Sequence, residues 1–260
     1  MEREIVRSRL HLSGLGWRKA SVGSAFDCRT ILTGRPLDRI GKIRWDDMQM
    51  PPPVDLVFQD HALLVVSKPS GLLSVPGRGA DKQDSLASRM AAWTPDALVV
   101  HRLDMSTSGL VVFARGKAAQ RQLSASFAER RVRKGYVAVV AGIVSADSGE
   151  IDLPLLTDWP NRPLQKIDRD LGKPALTRYL VHGRNRLAGT SRLSLEPVTG
   201  RTHQLRVHLQ ALGHPILGDA LYAPPEARER STRLMLHAES LCLPHPSTGE
   251  PLRFDLPAPF

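Results

Sequence analysis

From Val54 onward the chain is a succession of short apolar runs broken by glycine, proline and asparagine: VDLVFQD, ALLVVSK, GLVVFAR, KGYVAVVAG, GEIDLPL, ALTRYLVH and SRLSLEP. Runs of this length and composition, bounded by turn formers, read as strands. With few helices between them to make crossovers, they predict a mainly antiparallel sheet. Two segments carry helical spacing instead. KAAQRQLSASFAERR, Lys117 to Arg131, sets Leu123 and Phe127 four apart with charges elsewhere. TGRTHQLRVHLQALGHP offers Thr199 as an N-cap, puts Leu205, Leu209 and Leu212 on one face, and ends in Gly213 and Pro215. The expected fold class is α+β, sheet-dominated, with a few flanking helices. No internal repeat of fixed period interrupts this pattern.

Residues 1–50 lack any sustained strand or helix period and lead into MQMPPP, where Pro51 to Pro53 predict a stiff extended linker. They read as an N-terminal extension, with Met48 or Met50 as alternative starts. The first residues lack the apolar core of a secretory signal, and no run approaches the roughly 20 apolar residues of a membrane helix. A cytoplasmic protein is expected. The formal net charge of +10 makes a polyanion the first partner to consider, and arginine dominates the surplus. Guanidinium groups suit phosphate and base stacking better than ammonium groups do, which favours nucleic acid over an anionic membrane.

The stretch HRLDMSTSGLVVFAR, His101 to Arg115, presses a histidine, an arginine and an aspartate against an apolar strand. Charges in that position cost free energy unless paired, so the loop is a place to look for chemistry. Several chemistries are set aside. HRLD lacks the glycine-rich loop, lysine strand and downstream asparagine of a kinase, and no GxSxG, Walker or dinucleotide-binding glycine pattern occurs. His203 and His208 are five apart rather than at the i, i+4 spacing of a helical zinc pair, and Cys28 and Cys242 have no CxxC spacing, so no metal site is expected. What remains is one loop carboxylate, Asp104, and a basic segment carrying Arg201 and Arg206. A guanidinium stabilises a carboxylate in its charged form through a charge-assisted pair. An ordinary buried ion pair joining loop to helix would look the same in sequence. A second loop, KPSGLLSVPGRGADKQDS from Lys68 to Ser85, is long enough to suggest function.

HRLDMSTSGLVVFAR resembles the central motif of the RluA-type pseudouridine synthases. KPSGLLSVPG, KGYVAVVAG, GRTHQLRVHLQALGHPILGDALY and LMLHAESL match that family in the same order, from about Val54 to the C-terminus. Several long motifs in register are far more specific than one short pattern. DLPLLTDWPNRPLQK and YAPPEAR resemble the branch that acts on both tRNA and 23S rRNA.

The resemblance implies a sheet-dominated catalytic domain over residues 51–260, no added S4 domain, and an isomerisation of uridine that needs no cofactor. It makes Asp104 the catalytic carboxylate, Tyr136 the residue against the uracil ring and Arg206 the partner of Asp104. The carboxylate could attack C1′, attack C6 or remove a sugar proton. Arg102 is the family's candidate to stack where a flipped uracil was, and Arg201 to meet phosphate. His101, His203, Gln204 and Lys68, in the same motifs, are expected on the RNA-binding side. The implied partners are hairpins of tRNA and 23S rRNA, with no membrane and no obligate protein partner, and with a monomer as the working state. A non-catalytic RNA-binding or remodelling protein on the same scaffold, a synthase with a different single RNA target, and an N-glycosidase are the competing readings.

Overall fold

The structure, a computed structural model, describes residues 54–260; the reading of residues 1–50 as an extension lies outside the described residues. The described residues begin with β1 (Asp55–Gln59), β2 (Leu63–Lys68), α1 (Leu86–Trp93), β3 (Ala97–Val99), β4 (Ser108–Arg115), α2 (Gly116–Ala128) and β5 (Arg133–Ala141). They continue through β6 (Ser148–Asp152), β7 (Leu155–Thr157), β8 (Gln165–Ile167), β9 (Leu176–Asn185), β10 (Thr190–Pro197) and α3 (Gln204–Ala211). The last elements are α4 (Pro225–Arg228), β11 (Leu236–Pro244) and β12 (Pro251–Asp255).

Ten of these strands form one sheet in the order β1-β2-β4-β11-β5-β10-β9-β6, with β3 paired to β4 and β12 to β11; β7 and β8 make a separate hairpin. All seven sequence-predicted runs are strands, and every pairing but one is antiparallel. The exception joins β11 to β4 in parallel, His237 opposite Ser108 and Ala238 opposite Gly109. Gly109 has φ +116, and a Cβ there would collide with the backbone of Ala238, so only glycine lets the two strands meet.

The apolar runs of β2 and β4 are continuous because helices cover both faces. Leu63, Val65, Leu110 and Val112 face one core with Ala119 and Leu123 of α2, while Leu64, Val66, Val111 and Phe113 face another with Leu86 and Met90 of α1. A third core joins β5 and β10 to Leu205 and Leu209 of α3. Tyr136 packs against both the α1 core and the α3 core, which places its ring where the two halves of the sheet meet.

Two sequence expectations are corrected at the helices. The helix after β4 ends at Ala128, short of Arg131, because Arg130 turns the chain at φ +58. Thr199 is not the N-cap of α3. Its hydroxyl donates to Gln204 Oε1 at 2.7 Å and accepts from Leu176 N–H at 3.0 Å, so it ties the preceding loop to β9; His203, at φ +54, is the capping position. α1, which the sequence reading did not name, is started by a reciprocal Ser85–Ser88 capping box at the end of the long loop. No described helix is long and apolar enough to cross a membrane.

Candidate active site

Asp104 sits in the loop between β3 and β4, and its backbone is held by the segment that follows β2. The Ser74 hydroxyl donates to the Leu103 carbonyl at 2.6 Å and accepts from the Leu103 N–H at 3.0 Å. Ser70 Oγ donates to the Ser106 carbonyl at 2.7 Å, Gly71 N–H to the Met105 carbonyl at 2.8 Å, and Thr107 N–H back to the Asp104 carbonyl at 3.1 Å. Lys68 completes the cradle. Its ammonium donates to the carbonyls of Pro69, Leu72 and Met105 at 2.9, 2.7 and 2.9 Å, and the residue is 0% exposed. All three donors are used internally, so the expected RNA contact by Lys68 is corrected to a loop clamp. Burial lowers its pKa to about 8, opposed by the nearby charge of Asp104.

His101 is half-buried and lines the cleft. Its Nε2 accepts from Val112 N–H at 3.0 Å and its ring stacks on Phe127 with centroids 4.7 Å apart. Burial, with Lys134 adding to it, pushes its pKa down to about 3, so the imidazole is neutral and pins the loop to β4. Gln204 is 3% exposed, with Oε1 accepting from Thr199 and Arg201 and Nε2 donating to Leu176 and Thr177. That side chain is consumed by the fold and is not free for RNA.

The remaining expected residues converge. Arg206 on α3 is 3% exposed, and its Nη1 lies 3.6 Å from Asp104 Oδ2; His203 Nε2 lies 3.9 Å from Asp104 Oδ1. Arg206 is itself bound at two points by Asp219, Nε to Oδ2 at 2.8 Å and Nη2 to Oδ1 at 2.6 Å. Asp219 is 1% exposed, and its Oδ1 also accepts from the N–H groups of Leu221 and Tyr222. Sequence reading assigned no role to Asp219 or Tyr222. The available signal was an acid placed directly after the apolar HPILG, a position that demands a buried cation.

Tyr136 and Asp104 line the same cleft, of about 1270 Å³, together with Arg206 and His203. Burial raises the phenol's pKa, and the Asp104 charge raises it further, so Tyr136 presents a protonated ring to whatever enters. Arg102, Arg130, Arg131, Arg133, Lys134 and Arg201 contribute cationic groups to the walls, with Glu129 and Glu196 between them. Arg102 and Arg201 are exposed, Arg201 with its Nε on the Pro174 carbonyl at 3.2 Å. A cleft larger than the ~300–1,000 Å³ of small-ligand sites and walled by arginines suits a nucleotide entering with its neighbours. Among the described residues no cluster of His, Cys, Asp and Glu has a metal-holding arrangement.

The chain is similar to known proteins over most of the described residues. The sequence profile of the RNA pseudouridylate synthase family matches residues 62–211. The chain is 52% identical over 205 residues to the dual-specificity RNA pseudouridine synthase RluA of Yersinia pestis, a match covering 79% of this chain and 99% of that protein. Against the RluA of Escherichia coli (strain K12) it is 53% identical over 205 residues, covering 79% and 93%. Among solved structures, human RNA pseudouridylate synthase domain containing 1 superposes with a TM-score of 0.67 at 33% identity, over 80% of this chain and 85% of that one. By the family match and these relatives, the chain belongs to the RluA-type family of RNA pseudouridine synthases.

Proposed function

We propose that this synthase isomerises a uridine in a tRNA anticodon stem-loop and another in a hairpin loop of 23S rRNA, with Asp104 as the catalytic carboxylate. The observation that carries the reading is the placement of Asp104 in a cationic cleft, faced by a guanidinium that is buried and held from behind. Such a carboxylate is oriented by its partners while each oxygen keeps a lone pair for the sugar or the ring. The reaction breaks the N1–C1′ bond, turns the uracil and joins C5 to C1′; the proton leaves C5 and N1 ends protonated, so nothing is added or lost.

Tyr136 supports the ring of the bound uracil by stacking. A stacked uridine exposes neither C1′ nor C5, so the base must flip at a cost of a few kcal/mol. In this reading Arg102, two residues before Asp104, stacks in the gap and Arg201 meets a phosphate; the exposure of both in the cleft wall supports these roles. The working state in this reading is a monomer, and RNA targets of this kind support a cytoplasmic enzyme. The dual specificity in the names of the Yersinia and Escherichia relatives supports the two substrates.

Hydrolysis at the sugar, the competing chemistry, commonly employs two free carboxylates. Asp219, the acid on the far side of Arg206, has both oxygens committed to Arg206 and the following backbone.

The test is tritium release from 5-³H-uridine placed in an anticodon stem-loop, in an rRNA hairpin and in a duplex control. Release from both hairpins and not from the duplex is expected. Release from one hairpin alone would limit the specificity to that RNA, and release from neither would overturn the choice of target.

A further inference from the structure

The geometry points to Tyr222 as the residue that fixes the tautomer of His203, so that a neutral imidazole presents its Nε2–H to Asp104 on the side opposite Arg206. This rests on the reading of Asp104 as the catalytic carboxylate and adds a second positioning arm to it.

The assignment follows from the hydrogen bonds of one phenol. Tyr222 Oη accepts from the Gln165 N–H at 2.9 Å, and it lies 2.6 Å from His203 Nδ1. A buried phenol has one proton to donate, and His203 Nδ1 is the acceptor in reach. Nδ1 is then unprotonated, and the neutral ring carries its hydrogen on Nε2, the atom 3.9 Å from Asp104 Oδ1. The other tautomer would leave the buried phenol hydrogen without its acceptor and turn an imidazole lone pair toward a carboxylate, so both ends of the ring would lose by it.

The ring has little freedom to escape this choice. His203 holds the left-handed conformation at φ +54 at the start of α3, and its ring meets Tyr222 edge to face with centroids 5.5 Å apart. Tyr222 is 6% exposed, its N–H donates to Asp219 Oδ1, and the Arg206 guanidinium lies 5.0 Å from its ring centroid. Both groups that face Asp104 therefore converge on Tyr222, His203 through the hydroxyl and Arg206 through the ring and Asp219.

The charged neighbours of His203 divide. Arg206 and Arg102 oppose a cation on the ring, Asp104 and Asp219 favour one, and burial, the largest influence, opposes it. Protonation would also place its new hydrogen on Nδ1 and take away the acceptor of the Tyr222 hydroxyl. Asp104 is thus oriented on one oxygen by a neutral donor and on the other by a cation. The distances of 3.9 and 3.6 Å lie beyond the ~3.5 Å limit of a hydrogen bond, so both arms must close by a few tenths of an ångström when substrate seats.

The test is ¹⁵N NMR of the full chain with labelled histidine, alongside single-turnover conversion of an RNA hairpin. In the wild type, His203 should show a protonated Nε2 and an unprotonated Nδ1 at pH 7. Tyr222→Phe should mix the tautomers and slow conversion about tenfold, the worth of one neutral hydrogen bond, with RNA affinity unchanged. A protonated Nδ1 in the wild-type spectrum would overturn the proposal whether or not the variant folds, as would an unchanged tautomer and rate in a folded Tyr222→Phe. Asp104→Asn separates the two readings. It should leave the His203 tautomer intact, so if that variant still converts RNA, the role of Asp104 fails while the tautomer assignment stands.

Discussion

Arg206 is bound more closely to Asp219 than to Asp104: two contacts of 2.8 and 2.6 Å on one side, against 3.6 Å on the other. The guanidinium fork is filled by an acid that has no open face, and only Nη1 remains to address the cleft. A planar fork held at two points cannot pivot, so Nη1 points where Asp219 directs it. The sequence expectation of an Asp104–Arg206 pair is thus part of a longer chain of contacts that begins in the loop after α3.

Removing Asp219 should therefore damage both fold and chemistry. Asp219→Ala leaves a buried guanidinium and two backbone N–H groups without their acceptor, and a loss of about 3–5 kcal/mol in urea unfolding is expected. Arg206→Lys should keep the charge but lose the fork, lowering the single-turnover rate far more than RNA affinity. Equal losses in rate and affinity would place Arg206 in RNA binding instead.

Lys68→Met should act on turnover and stability and leave RNA affinity within about twofold, because the ammonium meets three carbonyls of the Asp104 cradle and no solvent. Measured Kd and kcat should separate cleanly. A large fall in affinity with normal turnover would restore Lys68 to the RNA-binding side.

The pH dependence of stability follows from His101. Its folded pKa, about 3, lies below the ordinary 6.5, so the folded state binds fewer protons than the unfolded chain between those values. Stability present above pH 6.5 is lost as the pH falls toward 3. His203, His208 and His237 are shifted the same way, chiefly by burial, and add to the slope. Urea midpoints from pH 7 to pH 4 should fall more steeply in the wild type than in His101→Gln. Parallel curves would mean that His101 is not held neutral.

Arg102→Ala should leave stability within about 0.5 kcal/mol, since the side chain is exposed, while slowing conversion of a structured hairpin. If the variant binds and modifies RNA like the wild type, Arg102 does not fill the space left by a flipped base.

The strands from β1 to β10 that carry continuous or alternating apolar residues were legible in the sequence. β11 was not, although it lies between β4 and β5. Its LHAESLCLP interrupts the apolar pattern with His237, which is buried because Ser108 Oγ and the Leu256 carbonyl satisfy its ring at 2.8 and 3.1 Å. Hydropathy cannot anticipate partners supplied by distant strands. The same limit explains the site. Asp104, Tyr136 and Arg206 were nameable from motifs, whereas Lys68 and Gln204 are polar residues of those motifs that hold the loops, and only their burial separates them from residues that face RNA. Asp219 and Tyr222 come from a loop whose relation to Asp104 exists only after α3 is packed.

The central claim is that Asp104 performs the chemistry and that its surroundings exist to present it. The most direct measurement is single-turnover conversion by Asp104→Asn, with RNA affinity and unfolding followed in parallel. The account predicts a folded variant that binds the hairpin within a few-fold of wild type and converts it slower by about 10⁴ or more. Conversion within tenfold of wild type by a folded Asp104→Asn would contradict it.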